Sequence, residues 1–278
     1  YYQETIPWGF GETLTAYDLS AKQTRWVHHE DTRMDSRAMA LGGGKVFLYA
    51  PESRLACLDA NTGTECWSNT DPVLRQRIEE PGAGLTSTPG FKTSCFCVYT
   101  PKGLFYEGQT KMNLVAVNKD TGQYLWHHRK TTSNPNVIYL DEVIFAGIGK
   151  DGNTLKLDPL TGNILQDLGF RKRSCARLTA TPDSLFCRGF DEGVTRYDRA
   201  TGKITFDGSM RPACNDGMLA ANGLLYSGPW LCDCNLSIIG AVAQCSANGF
   251  EPEAGQGELL EYSGARLQTG PWISGHDW

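Results

Sequence analysis

The sequence contains no apolar run approaching the roughly 18 residues of a membrane-spanning helix, so no transmembrane segment is expected. Basic residues are not in excess: 26 Lys and Arg stand against 31 Asp and Glu, for a net charge of -5 and a pI near 5.6. That balance excludes nucleic acid as a partner, because a phosphate backbone calls for a basic footprint. Several catalytic signatures are missing as well. There is no Gly-x-Ser-x-Gly elbow, no Walker loop and no His-Glu-x-x-His. No Cys-x-x-Cys-His occurs, so covalent haem attachment is not signalled. The chain opens without Met and without a signal-peptide pattern, and it is read as a processed form or a segment of a longer protein. Cysteine, in contrast, is plentiful. Ten in 278 residues point to an extracytoplasmic compartment, periplasmic, cell-surface or secreted, with some disulfides.

What the chain does carry is a recurring turn. Asp59-Ala60-Asn61-Thr62-Gly63 returns as Asn118 to Gly122, Asp158 to Gly162 and Asp198 to Gly202, and a degenerate copy runs from Asp18 to Lys22. A short alternating apolar stretch precedes each one. Eight residues beyond the leading Asp or Asn stands Trp26, Trp67, Trp126, Gln166 or Phe206. Strand, tight turn, strand is a β-hairpin, with Gly supplying the left-handed position. Copies are 41, 59, 40 and 40 residues apart. A period near 40 built from hairpins predicts an all-β propeller of four-stranded antiparallel blades. Six hairpins are recognisable, the sixth around Ser246 to Gly249. Their period assigns Trp26, Trp67 and Trp126 to packing between blades.

Strands A and B are expected upstream of each hairpin: 36–41 and 46–49, 95–99 and 104–106, 136–140 and 143–146, 175–180 and 184–187, 214–219 and 224–226. The domain is expected to span 1–278, with blade 1 incomplete at its N-terminus. Either the C-terminal segment 255–278 closes it, or the missing strands lie in a larger propeller. The surplus in the long step is 71–90. Asp71-Pro72 reads as an N-cap followed by Pro at N1, with Val73, Leu74 and Ile78 on one face, so a short helix over one face of the propeller is expected.

The hairpin unit, Asp-x-x-Thr-Gly-x-x-x-Trp, resembles the repeat of the pyrroloquinoline-quinone (PQQ) propellers over Asp18 to Phe206. That superfamily holds quinoprotein alcohol dehydrogenases and a non-catalytic outer-membrane assembly propeller. The stretches 81–90, 173–182 and 221–235 are also similar to the long PQQ-like repeat proteins of planctomycete-type bacteria. The resemblance implies either a binding or assembly module with a protein or glycan partner, or an oxidoreductase or electron-transfer domain.

Strand A starts and B–C loops share one face of a propeller, and the Thr-Gly turns lie on the other. Aligning the strand A starts brings Arg37, Cys95, Asn134, Cys175 and Cys214 near the central channel, and the B–C loop of blade 6 adds Cys232 and Cys234. Three readings stay open for these cysteines: structural disulfides, a soft-metal site for Cu or Zn, or a redox-active dithiol beside an organic cofactor. Cys57 and Cys66 flank one hairpin and are expected to form a local disulfide. His28 and His128 each follow a strand D Trp by two residues, as ligands or as satisfied edge residues. Arg171, Lys172, Arg173 and Arg211 precede strands A of blades 5 and 6, where they would meet the carboxylates of a PQQ-like quinone or an acidic glycan, or simply line a solvated rim. The dehydrogenases of the superfamily also use a calcium-binding set and often a disulfide between adjacent cysteines. No adjacent pair is present here, and Asn134, Asn215 and Asp216 are the residues placed to imitate such a set.

Overall fold

A computed structural model describes residues 9–80, 96–107, 113–129, 137–147, 152–173, 176–189, 193–208, 212, 217–228 and 241–245. The chain divides into a compact unit, Tyr1–Gln244, and a second one, Cys245–Trp278, of which Cys245 alone is described.

Within the first unit the described strands form antiparallel sheets in strict chain order, as the period predicts. Blade 1 contributes β1 (Phe10–Asp18) and β2 (Gln23–Asp35). Blade 2 is β3 (Ala40–Gly42), β4 (Lys45–Ala50), β5 (Arg54–Asp59) and β6 (Glu65–Asn69). Helix α1 (Pro72–Glu79) follows it. Blade 3 is β7 (Phe96–Tyr99), β8 (Leu104–Glu107), β9 (Asn113–Val117) and β10 (Tyr124–Arg129). Blade 4 is β11 (Val137–Leu140), β12 (Val143–Ala146), β13 (Leu155–Leu157) and β14 (Ile164–Asp167). Blade 5 is β15 (Thr179–Ala180), β16 (Ser184–Arg188), β17 (Val194–Asp198) and β18 (Ile204–Asp207). Blade 6 shows β19 (Leu219–Ala221), β20 (Leu224–Ser227) and β21 (Val242–Cys245). Three of the expected A strands begin later than the sequence suggests, in blades 2, 5 and 6. In blade 2 the reason is local: Ser36–Ala38 forms a 3-10 turn, because the Asp35 carboxylate accepts the backbone N–H of Arg37 and caps it.

The recurring turn is built by its leading side chain. Asp59 Oδ1 accepts the backbone N–H groups of Asn61 and Thr62, each at 2.9 Å, and the Thr62 hydroxyl at 3.1 Å. Asp158 and Asp198 repeat the pattern, and Asn118 does so with its amide oxygen. Such Asx turns satisfy donors that a two-stranded corner would leave unpaired. In the degenerate copy Lys22 takes the left-handed place at φ 52°.

Three of the turns are gripped by the preceding blade. Trp67 Nε1 donates to Lys119 O at 2.9 Å, and Trp126 Nε1 donates to Pro159 O at 3.0 Å. Trp26 does the same to Ala60 O at 3.0 Å. Each indole also lies against the glycine of that turn: a Cβ added at Gly122 would stand 2.5 Å from Trp67, and one at Gly162 would stand 2.6 Å from Trp126. Two residues further on, Asn69 Nδ2 donates to Gly122 O at 2.7 Å, and His128 Nε2 lies 2.6 Å from Gly162 O. A one-residue β-bulge directly before each Trp aims it at the next blade. Cys57 pairs with Trp67 and Leu58 with Glu65, leaving Cys66 over; Leu125 and Leu165 are the extra residues of blades 3 and 4.

The core lies between blades. Apolar clusters fill the seams of blades 1 and 2 (Met34, Leu48, Leu58), 2 and 3 (Phe47, Leu55, Val115), 3 and 4 (Phe105, Leu114, Leu157), and 4 and 5 (Phe145, Leu185, Tyr197). Phe47, Phe105, Phe145 and Phe186 recur at one position of strand B, opposite Ala40, Val98, Ile138 and Thr179 of strand A.

Candidate functional site

Strands A and C run in one direction, so strand A starts at the end of a blade opposite the Thr-Gly turn. The rim on that side carries most of the buried charge among the described residues: Asp35, Glu79, Glu107, Lys172 and Arg188. Burying an ion is tolerated only with partners close by, and Asp35, Glu79 and Lys172 have theirs in Arg37, Tyr49 and two backbone carbonyls.

Helix α1 organises the part beside blades 2 and 3. Asp71 Oδ1 accepts the Val73 N–H at 2.8 Å and Pro72 occupies N1, as its sequence predicts. Leu74 and Ile78 are buried, whereas Val73 is exposed and does not belong to the inward face. The helix therefore enters the seam rather than lying over it. Glu79 Oε1 accepts the Tyr49 hydroxyl at 2.6 Å, and Asn113 Nδ2 donates to Arg77 O at 2.9 Å. The Arg77 guanidinium lies 4.1 Å from the centre of the Tyr124 ring, a cation–π contact. Tyr106 meets Tyr49 edge-on at 5.8 Å and is buried beside Cys97. Burial pushes the Cys97 thiol up to about 12, opposed by the neighbouring Tyr106 hydroxyl. It remains a thiol at neutral pH, and the thiol is not the nucleophilic form.

Beside blade 5 the rim is basic. The Lys172 side chain is fully buried, packs on Gly147 and donates from Nζ to Ala176 O at 2.9 Å and Arg173 O at 3.1 Å. It braces the entry to its blade, with exposed Arg171 before it and half-buried Arg173 after it. Arg188, at the end of β16, is the largest fully buried side chain of the described residues.

Among the sequence-derived candidates, Arg37 forms a two-pronged pair with Asp35, at 2.7 Å from both Nε and Nη2, and stacks over Phe10 at 5.1 Å. A guanidinium so engaged holds its own 3-10 turn in place. Arg173 lies on the basic rim. Asn134, Arg211, Asn215 and Asp216, and the cysteines Cys95, Cys175, Cys214, Cys232 and Cys234, lie outside the described residues. Among the described residues no group of three His, Cys, Asp or Glu side chains is arranged to hold a metal. His28 sits 2.6 Å from Glu30, whose carboxylate also accepts Nε and Nη2 of Arg54 across the seam. His28 thus bonds within its own strand to a carboxylate that reaches across the seam, whereas His128 meets the next blade's turn directly. The expected Cys57–Cys66 disulfide is not formed; both are free thiols. The two thiols are nonetheless neighbours: Cys57 pairs with Trp67, Cys66 is the extra residue of the bulge beside it, and burial, with the Cys66 thiol adding to it, pushes the Cys57 thiol up to about 12.

The sequence reading missed Glu107 and Arg188 on this rim, and Glu79, which reads from sequence as one of a solvated loop pair with Glu80, is buried. Their signal is positional: Glu107 and Arg188 stand two residues past Phe105 and Phe186, the strand B aromatic that precedes each turn by 12 or 13 residues.

Sequential four-stranded sheets, Asx turns and tryptophan brackets together define a β-propeller of PQQ-like repeats. The family model described as outer membrane protein assembly factor BamB matches residues 11–172, and the chain belongs to that family. No curated protein matches it. Among solved structures, BamB from Moraxella catarrhalis is similar at 16% identity with a TM-score of 0.51, over 78% of this chain and 62% of that one. Quinohemoprotein alcohol dehydrogenases are similar too: that of Comamonas testosteroni at 14% identity and TM-score 0.51, and ADHIIG of Pseudomonas putida HK5 at 13% and 0.50. This chain spans 48% of each dehydrogenase. At such identities the likeness is one of fold. Among the described residues no helix is long and apolar enough to cross a membrane.

Proposed function

We propose that the chain is an extracytoplasmic binding or assembly module whose rim opposite the Thr-Gly turns docks a protein partner. Membership of the assembly-factor family, over residues that span blades 1 to 4, carries this reading. The basic entry to blade 5 supports it. Lys172 is turned inward and fixed, so Arg171 and Arg173 are held on a rigid mount, and guanidinium groups so placed suit the carboxylates of an acidic partner surface.

The test is titration of the chain against an outer-membrane assembly complex from the same cells. Arg171→Glu with Arg173→Glu should weaken binding at least tenfold with an unchanged circular dichroism spectrum. Equal binding by both forms would remove the rim from the interface. An optical spectrum and metal analysis of protein from its natural source address the other reading, an oxidoreductase or electron-transfer domain with a quinone or a soft metal (Cu, Zn) at the cysteine-rich face. A quinone band or stoichiometric metal would replace the assembly reading.

A further inference from the structure

The outer strand of blade 5 is flat where its predecessors are bent. In blades 1 to 4 one extra residue interrupts the pairing of the outer strand just before Trp26, Trp67, Trp126 or Gln166. Strands β17 and β18 instead pair without a bulge: Tyr197 with Ile204, Arg196 with Thr205, Thr195 with Phe206 and Val194 with Asp207. A bulge twists an edge strand and hinders its pairing with another chain, and charge along the edge does the same. In β18 the centre, Ile204-Thr205-Phe206, is uncharged and stands between Lys203 and Asp207. Residues 201–208 are all exposed, Ile204 at 44% and Phe206 at 55%. The Phe206 ring rests on its own blade, over Gly189 and Gly193, and so is held in place on that edge.

The ladder fixes which peptide groups the edge presents. Asp198 N–H donates to Lys203 O at 2.9 Å, and on the other side of β17 Gly189 N–H donates to Gly193 O at 3.0 Å. Bonding direction alternates along an antiparallel strand, so Val194, Arg196 and Asp198 bond to β18, and Lys203, Thr205 and Asp207 bond back. Ile204 and Phe206 therefore turn their N–H and C=O outward. A copy of the same strand can meet them antiparallel, with Ile204 opposite Phe206 and Thr205 opposite its own copy. That register also sets Lys203 opposite Asp207, twice. A shift of two residues either way keeps the peptide match but parts the charges. On one face isoleucine then meets an aromatic ring, and on the other ammonium meets carboxylate, both favourable as directly opposed pairs.

We propose that β18 is a homodimerisation edge, at which two copies of this chain pair their blade 5 outer strands antiparallel about Thr205. Charge selects the occupant, because the strand is its own complement in sign as well as in register. Two short strands bury little surface, so the dimer is weak and reversible.

Sedimentation velocity of the full chain from roughly 5 to 500 µM should show a monomer–dimer equilibrium. Lys203→Asp sets carboxylate against carboxylate, and Asp207→Lys sets ammonium against ammonium. Each should weaken self-association at least tenfold with an unchanged circular dichroism spectrum. An equimolar mixture of the two restores opposite charges at both contacts and should associate within threefold of the unaltered chain. Phe206→Pro removes an outward N–H, leaves the bonds to β17 in place and should abolish the dimer. A chain monomeric throughout the range would overturn the proposal, even if an extended peptide of another protein paired with β18. So would an association that survives Phe206→Pro, or charge variants that stay apart when mixed.

Discussion

The tryptophan bracket makes a prediction that separates inter-blade docking from turn strain. Trp126 is buried, bonds Pro159 O, and packs on Phe105 at 5.8 Å and on His128 at 5.4 Å. Trp126→Ala removes a buried indole and leaves a cavity, which costs about 3–5 kcal/mol. The lost hydrogen bond adds to that, because Trp126 Nε1 and Pro159 O meet in buried surroundings, and a buried acceptor left unpaired costs about 1–3 kcal/mol. A fall in Tm of roughly 10 °C is the expected outcome for a chain of this size. The partner glycines refine the test. Gly162 and Gly202 have nearly the same backbone, φ 74° and 70°. Alanine at either must accept a left-handed conformation, at about 1–2 kcal/mol. At Gly162 the new Cβ would also stand 2.6 Å from Trp126, whereas at Gly202 the nearest atom is the Tyr197 hydroxyl oxygen at 3.8 Å. Gly162→Ala should therefore cost about 1–3 kcal/mol more than Gly202→Ala, through overpacking. That excess should vanish when Trp126→Ala is combined with it. Urea denaturation followed by near-ultraviolet circular dichroism measures all of these. Equal costs at the two glycines, with Gly162→Ala and Trp126→Ala additive within about 0.5 kcal/mol, would refute the bracket as an energetic unit.

Other consequences are equally direct. Backbone N–H donors and neighbouring hydroxyls hold Asp59, Asp158 and Asp198 below the ordinary carboxylate range, the backbone bond to the turn threonine being the first cause in each. A lowered folded-state value means that their stabilisation is present above about pH 4 and is lost as pH falls through the folded value. Asp59→Asn, which copies Asn118, should flatten this acid limb in a pH 2–7 denaturation series while changing little at pH 7. Tyr49→Phe deprives the buried Glu79 carboxylate of its 2.6 Å donor and should cost about 1–3 kcal/mol by denaturation, with secondary structure retained. Asp71→Ala removes the N-cap of α1 and should cost about 0.5–2 kcal/mol, whereas Asp71→Asn should cost far less.

The repeat was legible because its turn chemistry is local: the Asp or Asn side chain, its threonine and its glycine specify the corner within five residues. The role of Trp26, Trp67 and Trp126 followed from period alone. Other features depend on information that spacing does not carry. Phe206 keeps the same interval from its turn as the tryptophans, but a bulge is a property of pairing between strands, so nothing in that interval announces its loss. Lys172 reads as a surface cation among arginines, and only the fold shows its stem folded against Gly147 with its ammonium among backbone carbonyls. Counted back from the paired strand A residues Ala40 and Val98, Arg37 and Cys95 share one offset. Asn134 and Cys175 lie one residue further from theirs, Ile138 and Thr179, and Cys214 two further from Leu219. The expected alignment of strand A starts is thus looser than a common strand start implies. The second face of α1 was misjudged at Val73 because two turns of helix give too few positions to fix an inward direction.

The burial of Leu74 and Ile78 among residues of two blades has a further bearing on how such an array can be rearranged. Repeat proteins gain and lose units easily where every unit carries the whole of its own interface. Blade 2 does not. Part of its contact with blade 3 is made by residues that belong to neither repeat, so copying or excising either one alone would strand Tyr49 and Tyr106 without their filling. Blades 2 and 3 with the helix between them therefore form a single packing block, and a recombinant array built from these repeats should join at the seam of blades 3 and 4, where Trp126 meets the turn at Gly162 directly.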